Sequence, residues 1–340
     1  NGIKFFDAAG RKLSDEIERR IEELLEEPVL TRPSQSLGRA TRIDDRRRQY
    51  QDFCASTIPA GMDLGGFKIV IDCANGAAYK VAPRVLAELG AEIVPIGCSP
   101  NGRNINDACG STSPELLQLT VPGVRADVGI ALDGDGDRVV MIDALGRTVD
   151  GDQILFVLAA ARRAAGTLRG PVVGTVMSNL GLEQALGERG IEFRRAAVGD
   201  RYVLAAMIEA GGTLGGETSG HILCLDKTTT GDGLISALQV LAVMKASGKA
   251  LAELAAPMSK YPQVMLNVKV ARGFDPLQNE AVRATADRAE RGFDGRGRVV
   301  LRASGTEPVV RVMVEGHDAT MVRKAAKEIA AAVETAARDH

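Results

Sequence analysis

Three aspartates alternate with glycines in the stretch IALDGDGDRVVMID, which covers residues 130–143 and lies between two apolar runs. Asp133, Asp135 and Asp137 stand at i, i+2 and i+4, and the intervening glycines let the backbone turn sharply, so the three carboxylates can fall on one side of the loop. Two like charges about 4 Å apart repel by about 4 kcal/mol at an effective dielectric of about 20. The loop therefore either binds a cation or splays its carboxylates into water, and the pattern alone leaves both open.

An EF-hand is a rival interpretation of this loop, because its calcium ligands also begin at positions 1, 3 and 5. Counted from Asp133, position 6 is Arg138 where an EF-hand has glycine, and position 12 is Ala144 where it has glutamate. The flanking segments are also strand-like rather than helical. A site with few carboxylate oxygens instead suits Mg²⁺ shared with a phosphate, and Arg138 is a candidate phosphate contact.

The stretch LGGETSGHI offers a second set of polar side chains. Glu217, Ser219 and His221 alternate along a glycine-flanked segment, so an acceptor, a hydroxyl and an imidazole can share one face, as a polyol ligand requires. A glycine-rich hairpin in which His221 is merely hydrogen-bonded would give the same pattern. The hydroxyl groups of a sugar would fit such a row.

The stretch LRASGTEPVVRV is a candidate phosphate loop. Ser304, Gly305 and Thr306 form a turn between two strand-like runs, and Arg302 and Arg311 flank it. Hydroxyls, backbone N–H groups and guanidinium groups together can cradle a phosphate. An ordinary hairpin with surface arginines is the alternative.

A weaker cluster lies in VGDRYV, where Gly199, Asp200 and Arg201 come at a helix start. An acid in that position is most simply explained as a helix cap, so we predict that Asp200 caps a helix beginning near Arg201.

Charge and composition argue against several protein classes. The 42 basic and 44 acidic residues leave a net charge of -2, so neither nucleic acid nor a membrane surface is expected as a partner. Five cysteines without a CxxC pair, beside three histidines, indicate reduced thiols in a cytoplasmic protein rather than a zinc site. No apolar run approaches the roughly 20 residues of a membrane span, and no signal-peptide pattern opens the sequence.

Hydrophobic periodicity predicts the elements that must position these clusters. Residues 14–27 repeat apolar side chains at helical spacing after Ser14, which predicts a capped helix. From about residue 57, β-branched runs alternate with helical patterns, and beyond Pro262 the order becomes strand, helix, strand, strand, helix. The expected fold is α/β: successive βα domains with mixed, mostly parallel sheets around a central cleft, plus a smaller C-terminal α+β domain.

Taken together and in this order, the clusters resemble the α-D-phosphohexomutase superfamily. DGDGDR matches its metal loop, GETSGH its sugar loop and RASGTEPVVRV its phosphate loop, and the resemblance runs the whole chain. The flanking stretches NGIKFF, DCANGAAY, TVMSNLGL and TTTGDGLISALQVL are similar to the bacterial branch that acts on glucosamine phosphates, which feeds amino-sugar nucleotide and cell-wall synthesis.

The resemblance implies a reversible phosphoryl transfer between glucosamine 6-phosphate and glucosamine 1-phosphate. A phosphoserine would donate and regain the phosphate through a glucosamine 1,6-bisphosphate intermediate, which also primes the enzyme. The implied roles divide as follows: Mg²⁺ ligands are Asp133, Asp135 and Asp137; sugar ligands are Glu217 and Ser219; phosphate ligands are Arg302, Ser304, Gly305, Thr306 and Arg311; Arg138 and His221 stabilise charge or move protons.

The family's phosphoserine lies in a Ser-His-Asn-Pro loop that closely precedes the NGIKFF segment, whereas this sequence begins at Asn1. The resemblance therefore predicts residues 1–57 as the remnant of a first domain, 58–147 as a second with the metal loop, 148–258 as a third with the sugar loop and 259–340 as a fourth that binds phosphate. We expect these 340 residues alone to bind sugar phosphate weakly and to catalyse no turnover.

Other functions stay open at this point. An apolar strand ending in DxD also begins metal-dependent phosphatases that use the first aspartate, here Asp133, as nucleophile. A noncatalytic sugar-phosphate binder is a second alternative. Within the mutase interpretation, mannose or glucose phosphate could replace glucosamine phosphate. The expected partner is a small hexosamine phosphate, and a homodimer is a possible assembly.

Overall fold

The computed structural model describes residues 5–43, 45–271, 273–303 and 308–338. These residues divide into two compact units, one running up to Thr148 and continuing from His221 to Ala250, the other comprising Val149–Gly220 and the chain from Leu251 onward. Within the described ranges, none of the helices combines the length and the apolar character that crossing a bilayer requires.

The first unit is built on a mixed sheet. The strands of this sheet within the unit are β1 (Lys68–Asp72), β2 (Glu92–Ile96), β3 (Val128–Leu132) and β4 (Val139–Asp143), and the unit also contains β9 (Ile222–Cys224), which lies outside that sheet. The helices of the unit are α1 (Asp15–Leu25), α2 (Arg46–Ser56), α3 (Ala82–Glu88), α4 (Glu115–Gly123) and α8 (Gly233–Ser247). Strands β1–β4 lie in the order β2, β1, β3, β4; β1 is parallel to both β2 and β3, and β4 runs antiparallel to β3. Because both β3 and β4 are fully buried, their joining turn is held at both ends.

The chain passes into the second unit within β5 (Thr148–Val149). The remaining elements are α5 (Gly151–Ala164), β6 (Val172–Thr175), α6 (Leu180–Gly187), β7 (Phe193–Ala196), α7 (Asp200–Ala210), β8 (Leu214–Gly216), α9 (Leu251–Ala255), β10 (Gln263–Lys269), α10 (Glu280–Gly292), β11 (Gly297–Ala303), β12 (Val309–Gly316) and α11 (Ala319–Arg338). Strand β6 pairs in parallel with both β7 and β8, whereas β12 lies between β10 and β11 and is antiparallel to both.

Strand alternation separates the two faces of the C-terminal sheet. Val310, Val312 and Val314 are buried in the same apolar core as residues of α10 and α11. Because side chains alternate along a strand, Arg311 projects from the opposite face of β12. The two helices thus cover the valine face of β12, and Arg311 lies on the other face.

The fold agrees with the expected class, since mixed, mostly parallel α/β sheets precede a smaller α+β part. Ser14 caps α1 as predicted, its side chain accepting a hydrogen bond from the backbone N–H of Ile17. The apolar stripe of that helix is exposed within the described residues, with Leu25 77% exposed. Helix α4 was not predicted. The predicted helix after the first C-terminal strand is α10, which follows a separate 3₁₀ turn at Pro276–Gln278.

The turn after β1 packs directly on the turn between β3 and β4. The backbone N–H of Ala77 donates to the carbonyl oxygen of Gly134 at 2.8 Å. A Cβ at Gly76 would stand 2.2 Å from that same oxygen, so this close approach requires glycine. The position of the acidic loop therefore depends on a backbone contact with a distant part of the sequence.

Gly76→Ala should destabilise the first unit by about 1–3 kcal/mol, because the added methyl group has no room without moving backbone. Thermal unfolding measures the effect. Gly123→Ala is the matched control, since a Cβ at Gly123 meets no atom within 4 Å, and it should leave the midpoint nearly unchanged. Equal midpoints for the two variants would contradict this packing argument.

Candidate functional site

The β3–β4 turn brings three carboxylates together. One oxygen from each of Asp133, Asp135 and Asp137 lies within 4.8 Å of the other two. Asp133 is buried, Asp137 is partly buried and Asp135 is exposed, so the group opens on one side. This converging set of hard oxygen donors fits an Mg²⁺ ion that keeps some of its water.

Asp133 is held by the backbone of its own turn. Its Oδ1 accepts hydrogen bonds from the N–H groups of Gly136 and Arg138, both at 3.1 Å. Burial raises the pKa of Asp133 to about 6, and repulsion from Asp137 and Asp135 adds to the rise. The Arg138 guanidinium compensates only weakly, because its Nε is 3.9 Å from Asp133 and 4.0 Å from Asp137.

His221 belongs to the same unit as the acidic loop. Its ring is buried, and its Nδ1 lies 3.6 Å from Oδ2 of Asp137. Gly231 packs against the imidazole so closely that a Cβ there would be 2.2 Å from Nε2. The imidazole is therefore fixed at the edge of the carboxylate group, within ion-pair distance of Asp137.

The predicted sugar residues lie on a turn and not on an extended strand. The N–H of Gly220 donates to the carbonyl of Glu217 at 2.9 Å, which closes the turn at residues 217–220. The expectation that Glu217, Ser219 and His221 share one face by alternating along this segment is therefore wrong. The turn leaves Ser219 exposed and Glu217 partly buried, with Glu217 Oε1 accepting the N–H of Gly199 at 3.0 Å.

The start of α5 supports this turn. Asp152 is fully buried, and its Oδ2 accepts hydrogen bonds from the Thr218 hydroxyl and the Asn179 N–H, both at 2.9 Å. A Cβ at Gly151 would lie 2.0 Å from the carbonyl oxygen of Glu217, so the helix can approach the turn only with glycine there. Burial raises the pKa of Asp152 to about 6, with a further contribution from Asp150.

Gly199 occupies the cap position of α7, with φ 128°, and Asp200 is the first helical residue. The prediction that Asp200 caps this helix is therefore wrong. The dihedral explains the change, because this region of φ is open chiefly to glycine. The cap residue also joins the helix start to Glu217, so the VGDRYV segment is part of the surroundings of the turn.

Two arginines face each other across the C-terminal hairpin. Arg302 on β11 and Arg311 on β12 are directly paired in the antiparallel register, so both project from the face opposite the valine core. Like charges directly opposite each other are unfavourable, and an anion bound between them would relieve the repulsion. Ser304, Gly305 and Thr306 lie outside the described residues.

Family comparisons match this chain in three consecutive segments. The descriptions are "Phosphoglucomutase/phosphomannomutase, alpha/beta/alpha domain II" for residues 49–146, "alpha/beta/alpha domain III" for 150–261 and "C-terminal domain" for 265–332. The chain belongs to this family. It is thus a member of the α-D-phosphohexomutase superfamily, as the three motifs predicted.

Within this family, the chain is similar to bacterial phosphoglucosamine mutases. The phosphoglucosamine mutase of Methylobacillus flagellatus is 56% identical over 98% of this chain and 74% of its own length, and that of Haemophilus influenzae is 54% identical over 98% and 75%. The solved structure of Aspergillus fumigatus N-acetylphosphoglucosamine mutase, in complex with GlcNAc-6P and magnesium, matches with a TM-score of 0.70 at 22% identity, covering 86% of this chain and 66% of that one. At that identity the structural likeness concerns the fold.

In this phosphohexomutase the predicted residues fall into two groups. The first unit contains the three aspartates, Arg138 and His221, and the second contains Glu217, Ser219, Arg302 and Arg311. In each group, residues that lie outside the three motifs contact and support the predicted ones.

Two supporting residues escaped sequence reasoning. Asp152 was missed because acidic residues are common in the first turn of a helix, so its position alone indicates no further role. Asp232 caps α8 through the N–H of Ile235 and also accepts the hydroxyl hydrogen of Tyr50 at 2.7 Å. The following residue, Gly233, donates its N–H to Gly136 at 2.9 Å, which ties this helix start to the acidic loop. The Gly-Asp-Gly turn was the available signal for Asp232.

Mg²⁺ affinity of the chain should fall as the pH drops through about 6, because the proton and the ion compete for Asp133. Asp133→Asn should abolish most of the binding and remove this pH dependence. The raised pKa also means that ionised Asp133 lowers the free energy of unfolding above pH 6. Without metal at pH 8, Asp133→Asn should therefore be no less stable than wild type without metal.

Calorimetric titration with MgCl₂ at pH 5.5 and 8.0 measures the first effect, and thermal unfolding with a chelator present measures the second. Glu209→Gln, an exposed change in α7, serves as the control and should bind Mg²⁺ like wild type. Tight binding that is equal at both pH values would show that these carboxylates are not the ligands.

Asp152→Ala should destabilise the second unit by about 1–3 kcal/mol, because it leaves the buried Asn179 N–H without its acceptor and releases the Thr218 hydroxyl. Asp152→Asn retains an acceptor and removes the charge. Because the pKa of Asp152 is raised to about 6, its ionisation lowers the stability of wild type as the pH rises through that value. The stability of Asp152→Asn relative to wild type should therefore increase from pH 5 to pH 8. Thermal unfolding of the three proteins at both pH values tests this, and an asparagine variant as unstable as the alanine one would refute it.

Proposed function

We propose that this chain supplies the metal-binding, sugar-binding and phosphate-binding parts of a phosphoglucosamine mutase. The reaction interconverts glucosamine 6-phosphate and glucosamine 1-phosphate by way of a phosphoserine and glucosamine 1,6-bisphosphate. The observation that carries the proposal is the converging carboxylate group of the β3–β4 turn in a sequence 54–56% identical to bacterial phosphoglucosamine mutases.

In this proposal Asp133, Asp135 and Asp137 hold Mg²⁺. When bound, the ion neutralises the carboxylates and supplies positive charge to the phosphoryl group being transferred. The donor set fits this role because it is all oxygen and because only Asp133 is buried, which leaves coordination positions for water and phosphate. The buried carboxylate with the raised pKa gains most from the neighbouring positive charge.

The second unit would bind the ligand away from the transferred phosphate. Glu217 and Ser219 accept and donate hydrogen bonds to sugar hydroxyls, and the hydrogen bond from Gly199 fixes the Glu217 carboxylate before the ligand arrives. Arg302 and Arg311, together with Ser304, Gly305 and Thr306, hold the phosphate that does not react. A bisphosphate must present each end in turn, and a clamp that reads only a phosphate accepts either orientation.

Arg138 and His221 would act on charge at the acidic loop. The half-exposed Arg138 guanidinium can swing to a phosphate because its contacts to Asp133 and Asp137 are long. His221 is buried and can pass a proton at Nδ1 to or from Asp137. We assign Arg138 to stabilising phosphoryl charge and His221 to holding the charge state of the loop.

The partners and setting follow from the same proposal. The ligand is a small hexosamine phosphate, glucosamine 1,6-bisphosphate serves as primer, and the protein acts in the cytoplasm, where the product supplies amino-sugar nucleotides for the cell wall. The division into domains 1–57, 58–147, 148–258 and 259–340 and a homodimeric assembly belong to this proposal as well.

A protein that joins these residues to the family's phosphoserine loop should convert glucosamine 6-phosphate to glucosamine 1-phosphate when Mg²⁺ and a trace of the bisphosphate are present. The conversion can be followed by ³¹P NMR. Glu217→Gln should lower kcat/KM by about tenfold or more, because hydrogen bonds to charged groups contribute about 1.5–3 kcal/mol. Glu209→Gln is the exposed control and should match wild type.

The other functions give different results in the same assay. Release of inorganic phosphate without isomerisation would indicate a phosphatase that uses Asp133 as nucleophile. Binding of glucosamine 6-phosphate by calorimetry without any turnover would indicate a sugar-phosphate binder. Faster conversion of glucose or mannose phosphate than of glucosamine phosphate would overturn the assigned substrate and leave the reaction type intact.

A further inference from the structure

Two cysteines meet at the carboxyl ends of the adjacent parallel strands β1 and β2. Asp72 and Ile96 are paired in the register, and Cys73 directly follows Asp72 while Cys98 comes two residues after Ile96. Parallel strands lie about 4.8 Å apart, so residues just beyond a register pair remain close. Cys73 is fully buried, whereas Cys98 is partly accessible to solvent.

The contacts confirm that the two sulfur-bearing side chains are neighbours. The carbonyl oxygen of Ile96 accepts both the N–H of Cys73 and the thiol of Cys98, each at 3.2 Å. A hydrogen bond also links the Cys73 and Cys98 side chains. That hydrogen bond lowers the pKa of Cys98, and it raises the pKa of Cys73 together with burial.

We propose that Cys98 and Cys73 form a peroxide-sensitive thiol pair that closes to an intrachain disulfide. Cys98 is the attacking residue, because it is the more accessible of the two and its thiolate is stabilised by the neighbouring thiol. Cys73 is the resolving residue, because it is shielded from solvent and already in contact with the Cys98 sulfur. The pair occupies neither the metal-binding nor the sugar-binding residues.

The chemistry needs one hydroperoxide per disulfide. The Cys98 thiolate attacks the peroxide, the O–O bond breaks, and Cys98 becomes a sulfenic acid while the alcohol or water leaves. Cys73 then loses its proton and attacks the Cys98 sulfur; the S–S bond forms and hydroxide departs as water. Two electrons pass from the two thiols to the peroxide, and a dithiol reductant reverses the reaction.

The disulfide would act on the acidic loop through the turn after β1. Asp72 accepts the N–H groups of Ala74 at 2.9 Å and Gly110 at 2.8 Å, which shapes this turn immediately beyond Cys73. The turn then reaches Gly134 through the hydrogen bond from Ala77. Pulling Cys73 toward Cys98 shifts the backbone against which the acidic loop rests. This coupling rests on the proposed Mg²⁺ site, whereas the disulfide itself does not.

Peptide mapping without reduction tests the disulfide on the wild-type chain. After treatment with hydrogen peroxide and alkylation of the remaining thiols, the expected product is a cross-linked pair of peptides that contain Cys73 and Cys98. Its mass should be two hydrogen atoms below the sum of the two free peptides, and dithiothreitol should separate it into those peptides. In Cys73→Ser the Cys98 sulfenic acid should persist and react with dimedone. Cys109→Ser is the control for the other thiol near Asp72, and it should still form the Cys73–Cys98 bond.

Calorimetry with MgCl₂ on reduced and oxidised wild type tests the coupling. The oxidised chain should bind Mg²⁺ about 10-fold more weakly, the loss that follows when residues supporting metal ligands are displaced. Oxidised Cys73→Ser, which cannot close the bond, should bind Mg²⁺ as its reduced form does.

Cross-linking of Cys98 to Cys109, cross-linking between chains, or an uncross-linked Cys98 sulfenic acid in wild type would overturn the thiol pair. A confirmed disulfide with unchanged Mg²⁺ affinity would overturn only the coupling. If neither redox form binds Mg²⁺, the coupling is also overturned, the proposed metal site fails, and the mapping result still decides the disulfide.

Discussion

The repulsion among Asp133, Asp135 and Asp137 is the constraint on which the first unit depends. Their oxygens lie within 4.8 Å of one another, close enough for each pair to cost several kcal/mol in a partly buried setting. The fold tolerates this cost because β3 and β4 hold both ends of the turn in a buried antiparallel register. Backbone N–H groups support the most buried carboxylate, and a divalent cation would turn the remaining repulsion into attraction.

Both the acidic loop and the turn at residues 217–220 are positioned by close backbone contact with distant segments. Gly76 lets the turn after β1 reach the acidic loop, and Gly151 lets the start of α5 reach the turn at residues 217–220. In each case a single methyl group would separate the partners. Such contacts fix a loop without side-chain flexibility, which suits a site whose ligands must keep their geometry while a substrate is exchanged.

Periodicity and local chemistry were sufficient to predict most of the elements. The alternation of apolar strands and helices gave the α/β class, and Ser14 identified the start of α1. Helix α4 was missed because it is only nine residues long and contains Pro122, which normally interrupts a helix. The exposure of α1 could not be predicted, since an amphipathic pattern indicates which face is apolar but not whether anything covers it.

The parts of the site formed by residues close together in sequence could be predicted, whereas contacts between residues far apart in sequence could not. The DxDxD spacing is local, so convergence of the carboxylates could be inferred from sequence. The support of Thr218 by Asp152 joins residues 66 positions apart, and the contact of Tyr50 with Asp232 joins residues 182 apart. The prediction that residues 217–221 alternate along one face failed because Gly220, with φ 93°, lets the backbone form a turn there.

A crystal of this chain soaked in MnCl₂ gives the most direct test of the central claim, because Mn²⁺ takes the oxygen ligands of Mg²⁺ and scatters anomalously. The account predicts one strong anomalous peak at coordination distance from the carboxylates of Asp133, Asp135 and Asp137. A map with no peak at the β3–β4 turn, and with the three side chains turned apart into solvent, would contradict it.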